Sequence, residues 1–488
     1  MPHAPSPEML HELEALLGSR GFTRDPAAME PWLTDWRGRY TGTAAAMLSP
    51  ATTAEVARIV HFCADRRVAL VPQGGNTSMV AGATPDESGA SLLLSMRRMN
   101  RIRWLDADAG LAVCEAGVIL SDLHDAAAAA GRRFPLSLAA KGSATVGGLV
   151  ATNAGGTQVL RFGTMRGLVQ GLEAVLPDGS VFEGLAPLRK DNRGYDLKQL
   201  LIGSEGTLGV VTAASLRLVP AIGARAVAWI GFSSPDQALQ LLRRLERSLG
   251  DAVESFEIVP RSGLDLVIQH IHGARAPLAE AHSWNVLVEA TAPEGAGEPA
   301  LAEALGEALE EGLAEDAVLA GNEAQAEALW RLRESIAEAE QKDGPAAKHD
   351  ISVEVSAMPR FMIEGAAEVE RRFPGTRVNA FGHLGDGNIH FNVRPPEGAS
   401  PYWVRDSSAP VTEFVHDLVT AAGGSISAEH GIGRMKLAEF ARLADPARLG
   451  AVRAIKQALD PLGIMNPGKL VPPFDDAQGS LAESAIRP

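Results

Sequence analysis

Cysteine is nearly absent from the chain, with only Cys63 and Cys114 among 488 residues. Two thiols are too few for a disulfide framework, an iron–sulfur cluster or a four-cysteine zinc site. No apolar run approaches the ~18 residues of a membrane-spanning helix. Positive charge is also scarce, since 45 Lys and Arg face 60 Asp and Glu for a net charge of −15. This balance disfavours binding to nucleic acid or to an anionic membrane, because both require a basic surface.

The N-terminus lacks the features of a targeting signal. Its first 21 residues, MPHAPSPEMLHELEALLGSRG, contain several acids and no arginine before Arg20. A secretory signal has a long apolar core, and a mitochondrial transit peptide is rich in arginine and poor in acids. We therefore expect a cytoplasmic protein in a reducing compartment.

The order of the predicted elements favours an α+β fold. The length predicts two or three domains, and the turn residues 220–223 mark a boundary. Before it, a helix at residues 53–67 precedes glycine-rich stretches and many short strands. After it, strands alternate with helices rich in Ala, Glu and Leu, one of which is predicted at residues 322–341. Such an order is typical of α+β domains rather than of a regular βαβ repeat.

Glycine is concentrated in loops that suit an anionic ligand. The stretch VPQGGNTSMVAGA at residues 71–83 follows a predicted strand, and KGSATVGGLVATNAGG at residues 141–156 contains five glycines. Consecutive N–H groups in such loops form anion-binding nests, because glycine permits positive φ and a close backbone approach. One such loop could equally be a tight turn, but several before Pro220 favour a ligand site.

Four segments together carry a family resemblance: PQGGNTSMVAGATP, FPLSLAAKGSATVGGLVATNAGG, GYDLKQLLIGSEGTLGVVT and the terminal MNPGKL. They resemble the FAD-binding domain of the vanillyl-alcohol-oxidase/p-cresol-methylhydroxylase flavoprotein fold. The resemblance covers nearly the whole chain and is strongest to the FAD-dependent D-2-hydroxyacid dehydrogenases, above all the D-2-hydroxyglutarate dehydrogenases.

The resemblance implies a division of the chain into five parts. They are an N-terminal helical segment (1–40), a two-subdomain FAD-binding domain of the p-cresol-methylhydroxylase type (41–220), an α+β substrate or cap domain (221–425), a C-terminal helical segment that returns to the flavin (426–471) and a tail (472–488).

The resemblance also implies which residues bind FAD. At the pyrophosphate they are Pro72, Gln73, Gly74, Gly75, Asn76, Thr77, Ser78 and Met79. Along the flavin they are Lys141, Gly142, Ser143, Thr145, Gly148, Thr152 and Asn153, with Asn466 near the isoalloxazine. On the adenine side they are Gly206, Gly209 and Val210. Covalent members of the fold carry a histidine where this chain has Asn76 and Thr77, so we expect non-covalent FAD.

The segment VNAFGHLGDGNIHFNVR at residues 378–394 predicts a hairpin with a four-residue loop. His383 then pairs opposite Asn388, and the period of two puts His390 on the same face as His383. Two histidines and one carboxylate form a catalytic zinc set, and Glu429 is the candidate carboxylate. Two surface histidines beside a glycine-rich turn would give the same pattern. The resemblance favours a divalent metal, zinc before manganese or iron, because His383, His390 and Glu429 match the family's ligands.

His430 directly follows a candidate ligand, which makes a place in the same coordination sphere difficult. We interpret it as the general base, since a histidine can accept a proton near neutral pH; the alternative is that it only caps the loop. By resemblance, Arg333 and Lys348 hold the distal carboxylate of the substrate and Asn392 the near one, although most Arg and Lys are solvated surface charges. The family's threonine four residues after the arginine, one turn along the same face of the predicted helix, is Ala337 here, so we expect one hydrogen bond to the distal carboxylate to be missing.

These inferences predict a flavoenzyme that oxidises a D-2-hydroxyacid, first of all D-2-hydroxyglutarate, to the 2-oxoacid. The alternatives are a D-lactate or glycolate dehydrogenase of the same family and a flavin-dependent ether-lipid transferase on the same fold. The electrons must pass to an external acceptor, such as an electron-transfer flavoprotein or a quinone. No nucleic acid partner is expected, and a homodimer is left open.

Overall fold

The computed structural model describes residues 2–473, so the predicted tail lies outside the described residues from 474 onward. The strands are β1 (Phe22–Thr23), β2 (Ala46–Leu48), β3 (Ala69–Gln73), β4 (Ser91–Ser95), β5 (Ile102–Asp106), β6 (Leu111–Glu115), β7 (Arg132–Arg133), β8 (Val169–Val175), β9 (Val181–Gly184), β10 (Val210–Arg217), β11 (Val219–Pro220), β12 (Ile222–Phe232), β13 (Val253–Pro260), β14 (Trp284–Pro293), β15 (Asp316–Leu319), β16 (Ala347–Ser352), β17 (Arg377–His383) and β18 (Asn388–Arg394).

The α-helices are α1 (Pro7–Gly21), α2 (Pro26–Met29), α3 (Thr53–Arg66), α4 (Leu120–Ala129), α5 (Val146–Thr152), α6 (Val159–Phe162), α7 (Met165–Leu168), α8 (Leu197–Leu201), α9 (Pro235–Leu249), α10 (Arg261–His270), α11 (Leu301–Glu310), α12 (Glu323–Glu334), α13 (Ile336–Asp343), α14 (Met358–Arg372), α15 (Trp403–Ser407), α16 (Ala409–Ala421), α17 (Leu437–Leu443) and α18 (Pro446–Leu459). Within residues 2–473, none of these helices has both the length and the apolar character of a membrane span. The mixture of helices and mainly antiparallel sheets confirms the predicted α+β class.

The first sheet has the order β1-β2-β4-β3 and joins both ends of the chain. Strand β1 lies in the predicted N-terminal segment and pairs antiparallel with β2. On the opposite edge, the N–H of Leu70 donates to the carbonyl of Ile464 at 2.8 Å, and the N–H of Asn466 donates to the carbonyl of Leu70 at 2.8 Å. The C-terminal segment therefore lies directly beside β3, which leads into the first glycine loop.

The second sheet, of order β5-β6-β10-β8-β9, is antiparallel and completes the half of the chain before residue 220. Helices α4 and α5 pack their apolar residues on it, together with Leu172, Ala214 and Leu216 of its strands. Cys63 and Cys114 are buried as free thiols in the two separate cores.

The third sheet has seven antiparallel strands in the order β15-β12-β14-β13-β17-β18-β16. Helices α9, α11, α14 and α16 cover one face, and α10, α12 and α13 cover the other. Because both faces are covered, every residue of Val253–Pro260 is buried, including the polar Glu254, Ser255 and Glu257. The helix predicted over residues 322–341 is in fact two helices, since Ser335 interrupts it; Asn322 caps the first of them as expected.

A buried carboxylate joins the seven-stranded sheet to strand β7 and helix α6 of the first half of the chain. Glu254 on β13 is fully buried and forms ion pairs with Arg133 and Arg161 from the first half of the chain. The hydroxyl of Thr291 donates a third hydrogen bond to it at 2.8 Å. Burial alone would raise the pKa of Glu254, but these partners hold the pKa below its usual value. This carboxylate fixes the position of the seven-stranded sheet against the first half.

We expect Glu254→Ala to lower the free energy of unfolding by about 3–5 kcal/mol, because it leaves two arginines without their buried counter-ion. The measurement is the first transition in urea unfolding. Asp406→Ala is the matched control, since it removes one partner of an exposed pair with Arg405; its loss should not exceed about 1 kcal/mol. Equal losses in the two variants would contradict a joining role for Glu254.

Candidate active site

A cleft of about 650 Å³ opens between the first two sheets and the C-terminal segment. It is lined by Pro72, Gln73, Gly74, Ser78, Val80, Gly82, Ala83, Met96, Ala116, Gly147, Gly148, Ala151, Thr152, Glu205, Gly206, Gly209, Val210, Val211 and His430. Three glycine-bearing stretches that are far apart in sequence thus form walls of the same cleft.

The backbone around this cleft is packed too closely for side chains. A Cβ on Gly74 would overlap the hydroxyl of Thr145, and one on Gly75 would overlap the carbonyl of Ser143. Several buried polar atoms beside the cleft also have no hydrogen-bond partner in the protein: Gln73 Oε1, Thr145 Oγ1 and Asn466 Oδ1. Buried polar atoms are normally satisfied, so these atoms suit a polar ligand. The residues fit a flavin nucleotide, whose phosphates and ring can accept and donate such bonds.

The predicted cofactor residues divide into two groups. Those that line the cleft are Pro72, Gln73, Gly74, Ser78, Gly148, Thr152, Gly206, Gly209 and Val210. Those that do not line it are Gly75, Asn76, Thr77, Met79, Lys141, Gly142, Ser143, Thr145, Asn153 and Asn466. Among the second group, Asn76 donates to the carbonyl of Thr34 at 2.9 Å, and Asn153 accepts from the N–H of Arg166 at 2.9 Å. Both side chains hold the walls together.

The hairpin has the predicted register, with His383 opposite Asn388. The rings of His383 and His390 lie on one face with their centroids 5.5 Å apart. One ligand atom from each histidine and a carboxylate oxygen of Glu429 lie within 4.8 Å of one another. The structure therefore brings the three predicted metal ligands together, although they come from two segments of the chain.

The loop of residues 427–433 carries Glu429 and His430 and is held by two buried carboxylates. Asp350 accepts the N–H groups of Glu429 at 3.0 Å and of His430 at 2.9 Å. Glu205, at the cleft, accepts the N–H groups of Ile432 at 2.8 Å and of Gly433 at 2.7 Å. The first carboxylate belongs to the seven-stranded sheet and the second to the first half of the chain, so the loop connects both.

His430 forms part of a second group of donors with Asp350 and Glu429, whose ligand atoms also lie within 4.8 Å of one another. We expected that His430 could hardly share a coordination group with its neighbour Glu429. The structure corrects this expectation, because the ligand atoms of the two residues lie close enough together to share one ion. Its Nδ1 lies 3.4 Å from Asp350 Oδ2. Since the carboxylate only accepts hydrogen bonds, it favours a proton on Nδ1 and leaves Nε2 as the basic nitrogen.

Burial controls the charges of these groups. It lowers the pKa of His430 to about 4, against the opposing effect of Asp350, so the ring is neutral at pH 7. Burial, together with the nearby acids Asp350, Asp386 and Glu257, raises the pKa of Glu429 to about 7 against the opposing effect of His383. A cation at this position would relieve that crowding of negative charge.

His383 is oriented by a residue that the sequence analysis did not identify. Its Nδ1 donates to Glu257 Oε1 at 2.7 Å, directly across the pairing of β13 with β17. Burial opposes protonation of His383, but Glu257 outweighs it and raises the pKa of the ring to about 9. The bond leaves Nε2 free to act as a ligand, which is the usual arrangement around a metal-binding histidine. An acid inside the apolar strand sequence VESFEIVP was the signal that could have identified it.

The predicted substrate-binding residues have buried acidic neighbours. Arg333 Nη2 lies 2.7 Å from Glu257 Oε2, and Lys348 Nζ lies 3.6 Å from Glu340 Oε2. Asn392, which pairs with Lys348 in the sheet, donates to Glu340 at 2.6 Å. Arg333 is therefore neutralised inside the protein, whereas the longer Lys348 pair leaves the ammonium able to bind a second anion.

Ala337 does not share a face with Arg333, contrary to the spacing argument. Arg333 is buried at the end of α12, whereas Ala337 is exposed in α13, beyond the interruption at Ser335.

Two family models match the chain, described as "FAD linked oxidases, C-terminal domain" over residues 223–470 and "FAD binding domain" over residues 44–184. The mitochondrial D-2-hydroxyglutarate dehydrogenase of Arabidopsis thaliana is 39% identical over 94% of this chain and 80% of its own length. The bovine (Bos taurus) mitochondrial enzyme of the same name is 40% identical over 96% and 84%. The structure of substrate-bound p-cresol methylhydroxylase superposes with a TM-score of 0.71, at 14% identity over 95% of this chain and 96% of its own. It confirms the predicted fold.

The predicted cytoplasmic location is contradicted by these comparisons, since the plant and bovine relatives are both mitochondrial proteins.

Proposed function

The chain belongs to the FAD-linked oxidase family, and from that premise we propose that it oxidises D-2-hydroxyglutarate to 2-oxoglutarate. It is an FAD-dependent dehydrogenase of a D-2-hydroxyacid, since two FAD domain models match it and its relatives are named D-2-hydroxyglutarate dehydrogenases. One observation carries the assignment of the site: His430 lines the flavin cleft and also belongs to the donor group with Asp350 and Glu429. A neutral base thus lies between the flavin cleft and the donor group that contains Glu429.

The FAD would be held by the three glycine-bearing walls of the cleft, without a covalent bond. When bound, it supplies a two-electron acceptor for the hydride that leaves C2 of the substrate. A divalent metal, zinc first, would be held by His383, His390 and Glu429, because two histidines and a carboxylate leave a position open for substrate. When bound, it supplies a Lewis acid for the 2-hydroxyl.

The protein's own residues orient the substrate and move its proton. Nε2 of His430 removes the proton of the 2-hydroxyl, and Asp350 fixes the ring and stabilises the positive charge that the ring then carries. Lys348 binds the distal carboxylate, and Asn392 orients the near one. Arg333 contributes through Glu257, since the pair positions His383. Two cysteines are too few for an internal iron–sulfur relay, so the electrons leave to an external acceptor, for which we propose an electron-transfer flavoprotein or a quinone.

The test is a panel of hydroxyacids assayed with an artificial electron acceptor. We expect D-2-hydroxyglutarate to have the highest kcat/KM, and D-lactate and glycolate to be lower by about tenfold or more, because they lack one charge-assisted hydrogen bond. The L-enantiomer should be inactive. A preference for D-lactate or glycolate would replace the proposed substrate, and no oxidation of any hydroxyacid would refute the dehydrogenase assignment.

The metal assignment is tested by His383→Ala, His390→Ala and Glu429→Ala. Each variant should lose bound metal, measured by elemental analysis, and lose activity by about a hundredfold or more, while it retains FAD. The flavin should remain because the glycine-bearing walls contain none of these ligands. His61→Ala is the control, since this exposed histidine lies far from the donor groups in sequence and its ring contacts Asp65 and the carbonyl of Asp178. Full activity in a metal-free preparation would contradict the Lewis-acid role.

A further inference from the structure

The turn of residues 35–40, in the predicted N-terminal segment, has a preformed geometry. The buried carboxylate of Asp35 accepts the N–H groups of Arg37 at 3.1 Å, of Arg39 at 2.7 Å and of Tyr40 at 2.6 Å. The N–H of Asp35 in turn donates to the carbonyl of Tyr40 at 2.9 Å. A turn with this many internal bonds presents its side chains in a fixed direction.

Contacts on two sides hold this turn against the site. Gln73, which lines the flavin cleft, donates to the carbonyl of Trp32 at 2.9 Å, and Asn76 donates to the carbonyl of Thr34 at 2.9 Å. On the other side, the guanidinium of Arg434 stacks on the ring of Tyr40, 4.7 Å from its centroid. The turn therefore lies between the first glycine loop and the segment that follows His430.

The charge of Arg37 acts on the candidate active site. It attracts Asp350, and it lowers the pKa values of Lys348, His430 and Lys436, in addition to the larger effect of burial on each. These four groups come from β16 and from the C-terminal segment, so the charge of Arg37 lies within electrostatic range of both elements. Burial and the nearby Arg39 lower the pKa of Arg37 itself to about 10, and the guanidinium remains a cation at pH 7.

Arg37 differs from the other cations of the site in having no bonded partner. Within residues 2–473, its half-buried guanidinium makes no hydrogen bond and no ion pair. In contrast, Arg333 is paired with Glu257, and Lys436 donates to the carbonyl of Ile426 at 2.8 Å. A guanidinium has a planar fork of donors that matches a carboxylate, so an unbonded one beside a substrate site is suited to an anionic ligand.

We propose that Arg37 binds the distal carboxylate of the substrate together with Lys348 and so selects dicarboxylates over monocarboxylates. This inference rests on the proposed function. Lys348 and Asp350 are two residues apart on one strand, about 6.6 Å, which is the scale of an extended five-carbon diacid. One carboxylate near Lys348 and Arg37 then leaves the 2-hydroxyl near His430.

The test compares Arg37→Gln with Arg37→Lys and with the control Arg24→Gln, an exposed arginine of the same N-terminal segment. For Arg37→Gln we expect kcat/KM for D-2-hydroxyglutarate to fall about ten- to hundredfold, mainly through KM, and that for D-lactate to change by less than about twofold. Arg37→Lys should recover part of the loss, since it keeps the charge but not the fork. Arg24→Gln should match the wild type in activity, FAD content and Tm.

A binding measurement separates this inference from the proposed function. Glutarate has both carboxylates but no hydroxyl to oxidise, so calorimetric titration with glutarate measures binding to the substrate pocket without turnover. We expect wild-type holoenzyme to bind glutarate and Arg37→Gln to bind it about tenfold or more weakly. Equal losses on the diacid and on D-lactate, unchanged diacid kinetics, or equal glutarate affinity in both proteins would each overturn the role of Arg37. If the wild type binds glutarate through Arg37 but oxidises no hydroxyacid, only the proposed function fails.

Discussion

The Asp350 carboxylate is the interaction on which the active site depends. It is buried and accepts hydrogen bonds from the N–H groups of Glu429 and His430 and from the side-chain amide of Asn388 at 3.0 Å. Burial would raise the pKa of Asp350, but His430, Lys436 and His390, with these donors, hold the pKa well below its usual range. A fixed negative charge thus ties strand β16, the hairpin and the 427–433 loop into one unit.

The loop also depends on its second carboxylate, Glu205, which lies in the flavin cleft. Gly431 has φ +81°, and a Cβ there would lie 2.7 Å from Glu205 Oε1, so the loop can pass this close only with glycine at that position. With one carboxylate in each half of the chain, the loop cannot be assembled correctly unless the halves are docked. The base and one metal ligand are consequently positioned only when the flavin cleft and the seven-stranded sheet are together.

Local patterns in the sequence predict a large part of this arrangement. The period of two and the four-residue loop fix His383 opposite Asn388, and the glycine stretches form the cleft walls, because these features depend on neighbouring residues. The partners Glu205, Glu257 and Glu340 were missed, since each contacts residues more than 35 positions away and depends on sheet order. The unbonded Arg37 was missed for the same reason. The prediction that Ala337 lies one helical turn beyond Arg333 on the same face was wrong, because Ser335 interrupts the helix between them.

In the proposed reaction, the hydrogen at C2 of a D-2-hydroxyacid passes as hydride to FAD bound in the cleft. The most direct test is anaerobic single-turnover mixing of the holoenzyme with D-2-hydroxyglutarate that carries either hydrogen or deuterium at C2. We expect the visible absorbance of the flavin to be lost, and to be lost more slowly with the deuterated compound, because the bond between C2 and its hydrogen breaks in that step. An absorbance that stays unchanged with saturating substrate would contradict the claim.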